Sequence, residues 1–236
     1  VNLDAPELHR VKRFLQSVKA GHGEPQDPRQ KGKGGFFPGL TARPWHGVED
    51  WPVTRAVTRV LEAEADGIRQ EYTQAVEAAD ALVPHPASGL HPALRGRDWG
   101  FFELWRGGRF RIRAQRDLPR TCRAIEAILP HLSPTGQVAF HRLEPGARLR
   151  PHADGPNTTL TCHLGIDVPD GCWLRVGGET RGWADGRCLW FDHSFEHDAA
   201  NEGCRSRAVM LLDIVHPDIT EVELAFWRER WAQQQR

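Results

Sequence analysis

The chain has 236 residues, with 31 Lys plus Arg against 31 Asp plus Glu and hence a formal net charge of zero. That length can bury a full core and exceeds one typical domain only modestly, and the even balance gives no global basic field for nucleic acid. Five cysteines with no C-x-x-C pair and no secretory leader predict free thiols in a reducing, cytoplasmic compartment, and no apolar run is long enough to span a membrane.

In chain order, Leu8, Val11, Leu15 and Val18 fall at helical spacing. The Gly-, Lys- and Pro-rich stretch from Gly21 to Gly35 follows. It is expected to be mobile, so residues 1–35 are set apart from a single domain over 36–236. Its Gly32-x-Gly34-Gly35 follows no strand and opens no helix, which argues against a phosphate loop. Val53 to Leu82 reads as one long helix or two, with Val57, Val60, Leu61, Ile68, Tyr72 and Val76 as the apolar stripe. A further helix over Leu118 to Leu129 completes a helical support over 36–135. Trp45, Trp51, Trp99, Trp173, Trp183 and Trp190 are read as core and helix-to-barrel packing.

From Gln137 to His216 the texture changes to short strands broken at Glu144-Pro145-Gly146, Val176-Gly177-Gly178 and Asp185-Gly186-Arg187, a β core over 136–217. Thr220 is placed as N-cap of a last helix over 220–234, with Glu223 at the capping-box position. The chain is thus mainly β with a helical N-terminal half. About eight strands with a ligand site at one end suggest a double-stranded β-helix (jelly-roll, cupin-like) flanked by helices.

The site is His152-Ala153-Asp154, answered by His197 within Phe195-Glu196-His197-Asp198. On a strand His152 and Asp154 point to one side, and a distant strand supplies the third ligand. Two imidazoles and a carboxylate form the ligand set of a 2-His-1-carboxylate facial triad, which leaves metal positions open for a co-substrate and dioxygen, as non-haem Fe(II) oxygenases require. Arg207 opens the buried run Ala208-Val209-Met210-Leu211-Leu212, one strand past the last ligand. There a guanidinium can grip the far carboxylate of a dicarboxylate through a bidentate fork. For the substrate pocket the candidates are Trp105, Arg106, Arg109, Arg148 and Arg150 around the barrel mouth. The run Arg106, Arg109, Arg111, Arg113, Arg116 alternates with apolar residues and offers contact to a phosphate or an anionic carrier.

Gly35-Phe36-Phe37-Pro38-Gly39-Leu40-Thr41-Ala42-Arg43-Pro44-Trp45, Trp105-Arg106-Gly107-Gly108, Pro151-His152, Asn157, His163-Leu164-Gly165-Ile166, Phe191-Asp192-His193-Ser194-Phe195-Glu196-His197, Arg207 and Asp213-Ile214-Val215-His216-Pro217 together resemble the aspartyl/asparaginyl β-hydroxylase family of Fe(II)- and 2-oxoglutarate-dependent oxygenases. The resemblance covers most of the chain from about residue 35. It implies that His152 and His197 bind iron, that Arg207 binds the 5-carboxylate of 2-oxoglutarate, and that His163 contacts its other end or a neighbouring carboxylate. Phe191 and Asp192 are implied as support.

Three positions depart from the family pattern. Animal members resemble His-x-Gly where this chain has His152-Ala153-Asp154, so an ordinary triad with Asp154 as ligand is expected here. Thr159 and Thr161 stand where peptide-hydroxylating relatives resemble Arg-x-Arg, which removes bidentate recognition of an acidic substrate side chain. His141 occupies a co-substrate-side position where a small hydroxyl residue is usual. The resulting expectation is an Fe(II) enzyme using 2-oxoglutarate and O2 on an amino-acid or peptide substrate, with no nucleic-acid or membrane partner, as a monomer or small homo-oligomer. A cupin-like metalloenzyme that needs no keto acid and a non-catalytic β-sandwich binding module are the alternatives.

Overall fold

A computed structural model describes residues 3–21, 23–92 and 94–234. Helix α1 (His9–Ala20) ends at Gly21, whose φ of 73° supplies the left-handed C-cap, and a short strand β1 (Trp45–His46) follows. Pro52 starts α2 (Pro52–Glu71), whose stripe Val57, Leu61, Ala65 and Ile68 is buried and which runs on into a π-helical turn over Tyr72–Glu77. The expected helix from Val53 to Leu82 is this pair. Strands β2 (Val83–Pro84), β3 (Trp99–Arg106) and β4 (Arg109–Phe110) come next, then α3 (Ile112–Asp117) and α4 (Pro119–Glu126).

Eight strands follow: β5 (Gln137–Leu143), β6 (Arg148–His152), β7 (Thr159–Asp167), β8 (Cys172–Val176), β9 (Glu179–Arg181), β10 (Cys188–Phe191), β11 (His197–Asn201) and β12 (Arg207–Val215). They make the two sheets of a double-stranded β-helix. The larger has the order β1-β10-β7-β12-β5-β3-β2 with β4 paired to β3, and the smaller is β6-β11-β8-β9. The half read as helical therefore lends strands β1 to β4 to the larger sheet. The last helix, α5 (Glu221–Gln234), begins with the expected capping box. Glu223 N–H donates to Thr220 Oγ1 at 3.3 Å, and Thr220 N–H donates to Glu223 Oε2 at 2.9 Å.

Strand alternation sorts the larger sheet into two faces. Ala208, Met210, Leu212 and Ile214 of β12, with Leu160, Cys162 and Leu164 of β7, pack against Leu61, Ile68, Tyr72 and Ile125 of the helical layer. Each of the Leu, Ile and Met side chains among them contributes roughly 1.5–3 kcal/mol by leaving water. The other parity faces the smaller sheet, where Val209, Phe191 and Phe195 meet Leu174 and Val176. At the open end of this inner layer the apolar side chains give way to Arg207, His163, Thr161 and Asp213, which line a cavity of 520 Å³.

The segment expected to be mobile is tied across that open end. Lys31 N–H donates to Ser194 O at 2.7 Å, Lys33 N–H to Asp154 O at 2.8 Å, and Gln30 bridges to Phe195. Asn157 anchors the segment's far end, accepting from Phe37 N–H at 2.7 Å and donating to Phe37 O and Gln26 Oε1. Gly32 permits the close passage, since a Cβ there would stand 2.4 Å from Gly155 O and 2.8 Å from Ser194 Cβ.

Candidate metal centre and active-site cavity

His152 ends β6 and His197 begins β11, and the two are direct partners across the antiparallel ladder. Their ring centroids are 4.3 Å apart. Asp154 lies just beyond β6, where its N–H donates to His193 O and its O accepts from Lys33 N–H. One donor atom from each of His152, Asp154 and His197 falls within 4.8 Å of the others. His152 Nδ1 donates to Arg150 O at 2.8 Å and His197 Nδ1 donates to Phe195 O at 2.9 Å. With both Nδ1 protons committed to carbonyls, each Nε2 carries the lone pair a metal needs.

The electrostatics agree with a cation site. Burial, and then the neighbouring His197, push the His152 pKa down, which keeps that ring neutral. Burial works the same way on His197, but the hydrogen bond and charge of Asp154, 3.6 Å away, outweigh it and leave the pKa raised. Desolvation opposes ionisation of Asp154, yet the His197 contact and charge hold its carboxyl well below the usual range. The His197 Nε2 and the Asp154 carboxylate thus face each other where a divalent cation would fit.

Deeper in the cavity three buried nitrogens, on Arg207, His163 and His141, lack a hydrogen-bond partner among the described residues. Arg207 is 3% exposed, its Nε finds no acceptor, and among the described residues no carboxylate pairs with it. Its guanidinium lies 4.4 Å over the Trp183 ring, and burial pulls its pKa down to about 10. His163 Nδ1 accepts from Trp183 Nε1 at 3.2 Å, so Nε2 carries the proton and, unpartnered, points a donor at the cavity. Burial and then Arg207 hold the His163 pKa well below its ordinary value. His141 Nε2 is likewise without a partner, and burial depresses its pKa. A buried cation with no counter-ion and a buried N–H with no acceptor fit a dianionic co-substrate.

The residues proposed for the substrate pocket divide. Arg106, Arg150, Thr159 and Thr161 line the cavity, whereas Trp105, Arg109 and Arg148 do not. Trp105 is turned away by a bulge between Glu103 and Trp105 on β3, which breaks the alternation and sends the indole into the helix-packed core beside Leu104. Arg109 is exposed at the β3–β4 turn, and Arg148 pairs with Glu202 at 2.6 Å, outside the cavity. The alternating arginine run is largely bound in ion pairs: Arg106 and Arg111 with Glu103, Arg113 and Arg116 with Asp117.

Sequence reasoning passed over Trp183, read as packing, and left His193 and Asp213 inside matched motifs without a role. All three line the cavity. The signal for Asp213 was parity, since residues 207, 209, 211 and 213 face one side of a single strand.

A family model described as aspartyl/asparaginyl beta-hydroxylase matches residues 62–217. The aspartyl/asparaginyl beta-hydroxylase of Mus musculus is 34% identical over 188 residues, covering 77% of this chain and 24% of that protein. Aspartate beta-hydroxylase domain-containing protein 1 of Homo sapiens is 32% identical over 219 residues, covering 87% of this chain and 54% of that one. The chain thus spans about a quarter to a half of the length of these relatives. A solved prolyl-4-hydroxylase of Pseudomonas putida aligns with a TM-score of 0.42 and 18% identity over 67% of this chain and 87% of that one. By the family model and by identity over most of its length, the chain belongs to the aspartyl/asparaginyl β-hydroxylase family.

Proposed function

We propose that this protein is an Fe(II)- and 2-oxoglutarate-dependent dioxygenase that hydroxylates an unactivated C–H bond of an amino acid or of a residue in a peptide, with succinate and CO2 as co-products. The observation that carries this reading is the three-donor cluster of His152, Asp154 and His197 sharing one cavity with the unpaired, buried Arg207. His152, Asp154 and His197 would hold the metal on one face, and the carbonyls of Arg150 and Phe195 fix the two imidazole tautomers. Arg207 would bind the distal carboxylate of the co-substrate, and the His163 Nε2–H would donate to its metal-proximal end. When bound, iron with the keto acid and dioxygen supplies the oxidant that no side chain can provide. The chain's part is orientation and exclusion of water, for which Phe191, Leu174 and Trp183 form the apolar wall.

Anaerobic addition of Fe(II) and 2-oxoglutarate is expected to give the weak visible metal-to-ligand band of a chelated keto acid. Admitting dioxygen should then yield succinate, and His197→Ala should remove both signals. Retention of the full band in that variant takes His197 out of the coordination sphere, and iron-loaded wild type that consumes no 2-oxoglutarate overturns the reading.

A further inference from the structure

The cavity holds a second buried ionisable group, opposite in sign to Arg207, with His193 Nδ1 4.0 Å from its carboxylate. Asp213 lies six residues further along the same face of β12, roughly 20 Å by strand rise. It is 8% exposed, and no Lys or Arg pairs with it among the described residues. Its Oδ1 accepts from Thr161 Oγ1 at 2.8 Å and its Oδ2 from Gln137 N–H at 3.2 Å. Thr161 has one hydroxyl proton and Asp213 takes it, so His193 Nδ1, 3.0 Å from Thr161 Oγ1, is the donor of that contact. His193 Nε2 is then an acceptor, and it is buried with no partner. The chain His193–Thr161–Asp213 thus presents an acceptor backed by a buried carboxylate. At the rim, Lys33 and Arg150 line the same cavity, and neither stands in an ion pair among the described residues.

We propose that His193, Thr161 and Asp213 form the substrate-recognition element and that they select an amino-acid or peptide substrate by a primary amine on its side chain, with its carboxylate or carbonyl end turned to Lys33 and Arg150. This deepens, and rests on, the assignment of the cavity to amino-acid hydroxylation. The two threonines on β7 leave the space and the negative potential that an acidic side chain would find repulsive. A donor nitrogen would complete both the empty His193 acceptor and the Asp213 charge.

The test is calorimetric binding to iron- and 2-oxoglutarate-loaded protein without dioxygen, using L-lysine, Nα-acetyl-lysinamide, L-norleucine and L-glutamate. At least one of the two amines is expected to bind about tenfold or more tighter than norleucine and glutamate. Asp213→Asn, nearly isosteric, should erase that margin, and Thr161→Arg should turn the preference towards glutamate. Glutamate preferred by wild type, no binding of either amine, or an undiminished amine preference in Asp213→Asn overturns the proposal. The visible band, recorded on the same samples, separates the two readings. Band present with no amine preference defeats the recognition element alone, whereas amine preference without the band supports it and defeats the oxygenase assignment.

Discussion

Arg207 is 3% exposed, stacked on Trp183 and without a counter-ion among the described residues. A buried charge in that state costs several kcal/mol, and an apolar side chain of similar length relieves it. Arg207→Met is therefore expected to raise the melting temperature of the ligand-free protein by the equivalent of about 1–3 kcal/mol. The same change should increase the 2-oxoglutarate requirement by about 30- to 1,000-fold with iron affinity nearly unchanged. A thermal-shift series with and without the keto acid reads both effects, and unchanged keto-acid dependence rejects the role. At Asp154 the direction reverses. Asp154→Gly removes an anionic ligand, so iron affinity should fall and succinate formation should survive only at high iron, while His152→Ala should abolish it. Because Asp154 raises the His197 pKa, iron must displace a proton there, and wild-type affinity should weaken as the pH falls through that raised value. In Asp154→Gly the weakening should move to lower pH. Equal iron dependence in wild type and Asp154→Gly would make Asp154 a turn residue. The grouping of these residues in one cavity was legible in sequence because His-x-Asp is a local spacing and Arg207 opens an unbroken apolar run. Trp105 was misplaced because a one-residue bulge leaves no periodic trace.

At the scale of elements, the segment over 24–37 depends on Asn157, whose side chain makes three hydrogen bonds to Gln26 and Phe37. Losing them costs on the order of 1–3 kcal/mol, falling on the segment more than on the β core. Asn157→Ala should therefore speed tryptic cleavage after Lys31 and Lys33, read by mass spectrometry, with little change in global unfolding. Equal cleavage rates in the two proteins would show that Asn157 is not the anchor. Composition correctly marked this stretch as irregular. It could not mark it as fastened, because Asn157, Asp154 and Ser194 lie more than a hundred residues away in sequence and the contacts have no local signature.

Across the whole molecule, zero net charge conceals a polarised interior, with a buried guanidinium and a buried carboxylate on one face of β12 and no ion pair between them. The helical layer and the eight core strands were legible from periods of 3.6 and 2. Strands β1 to β4 were not: β1, β2 and β4 have two residues each, which cannot display a period, and β3 lay inside the stretch read as helical support. The lashing of Lys33 N–H to Asp154 O has a practical consequence for anyone shortening the protein. A fragment cut to the similarity-defined stretch, residues 62–217, would retain His152, Asp154 and His197 and yet lose one of the two backbone hydrogen bonds that hold Asp154. Homology boundaries and working boundaries diverge here, and a dead fragment would say nothing against the intact active site.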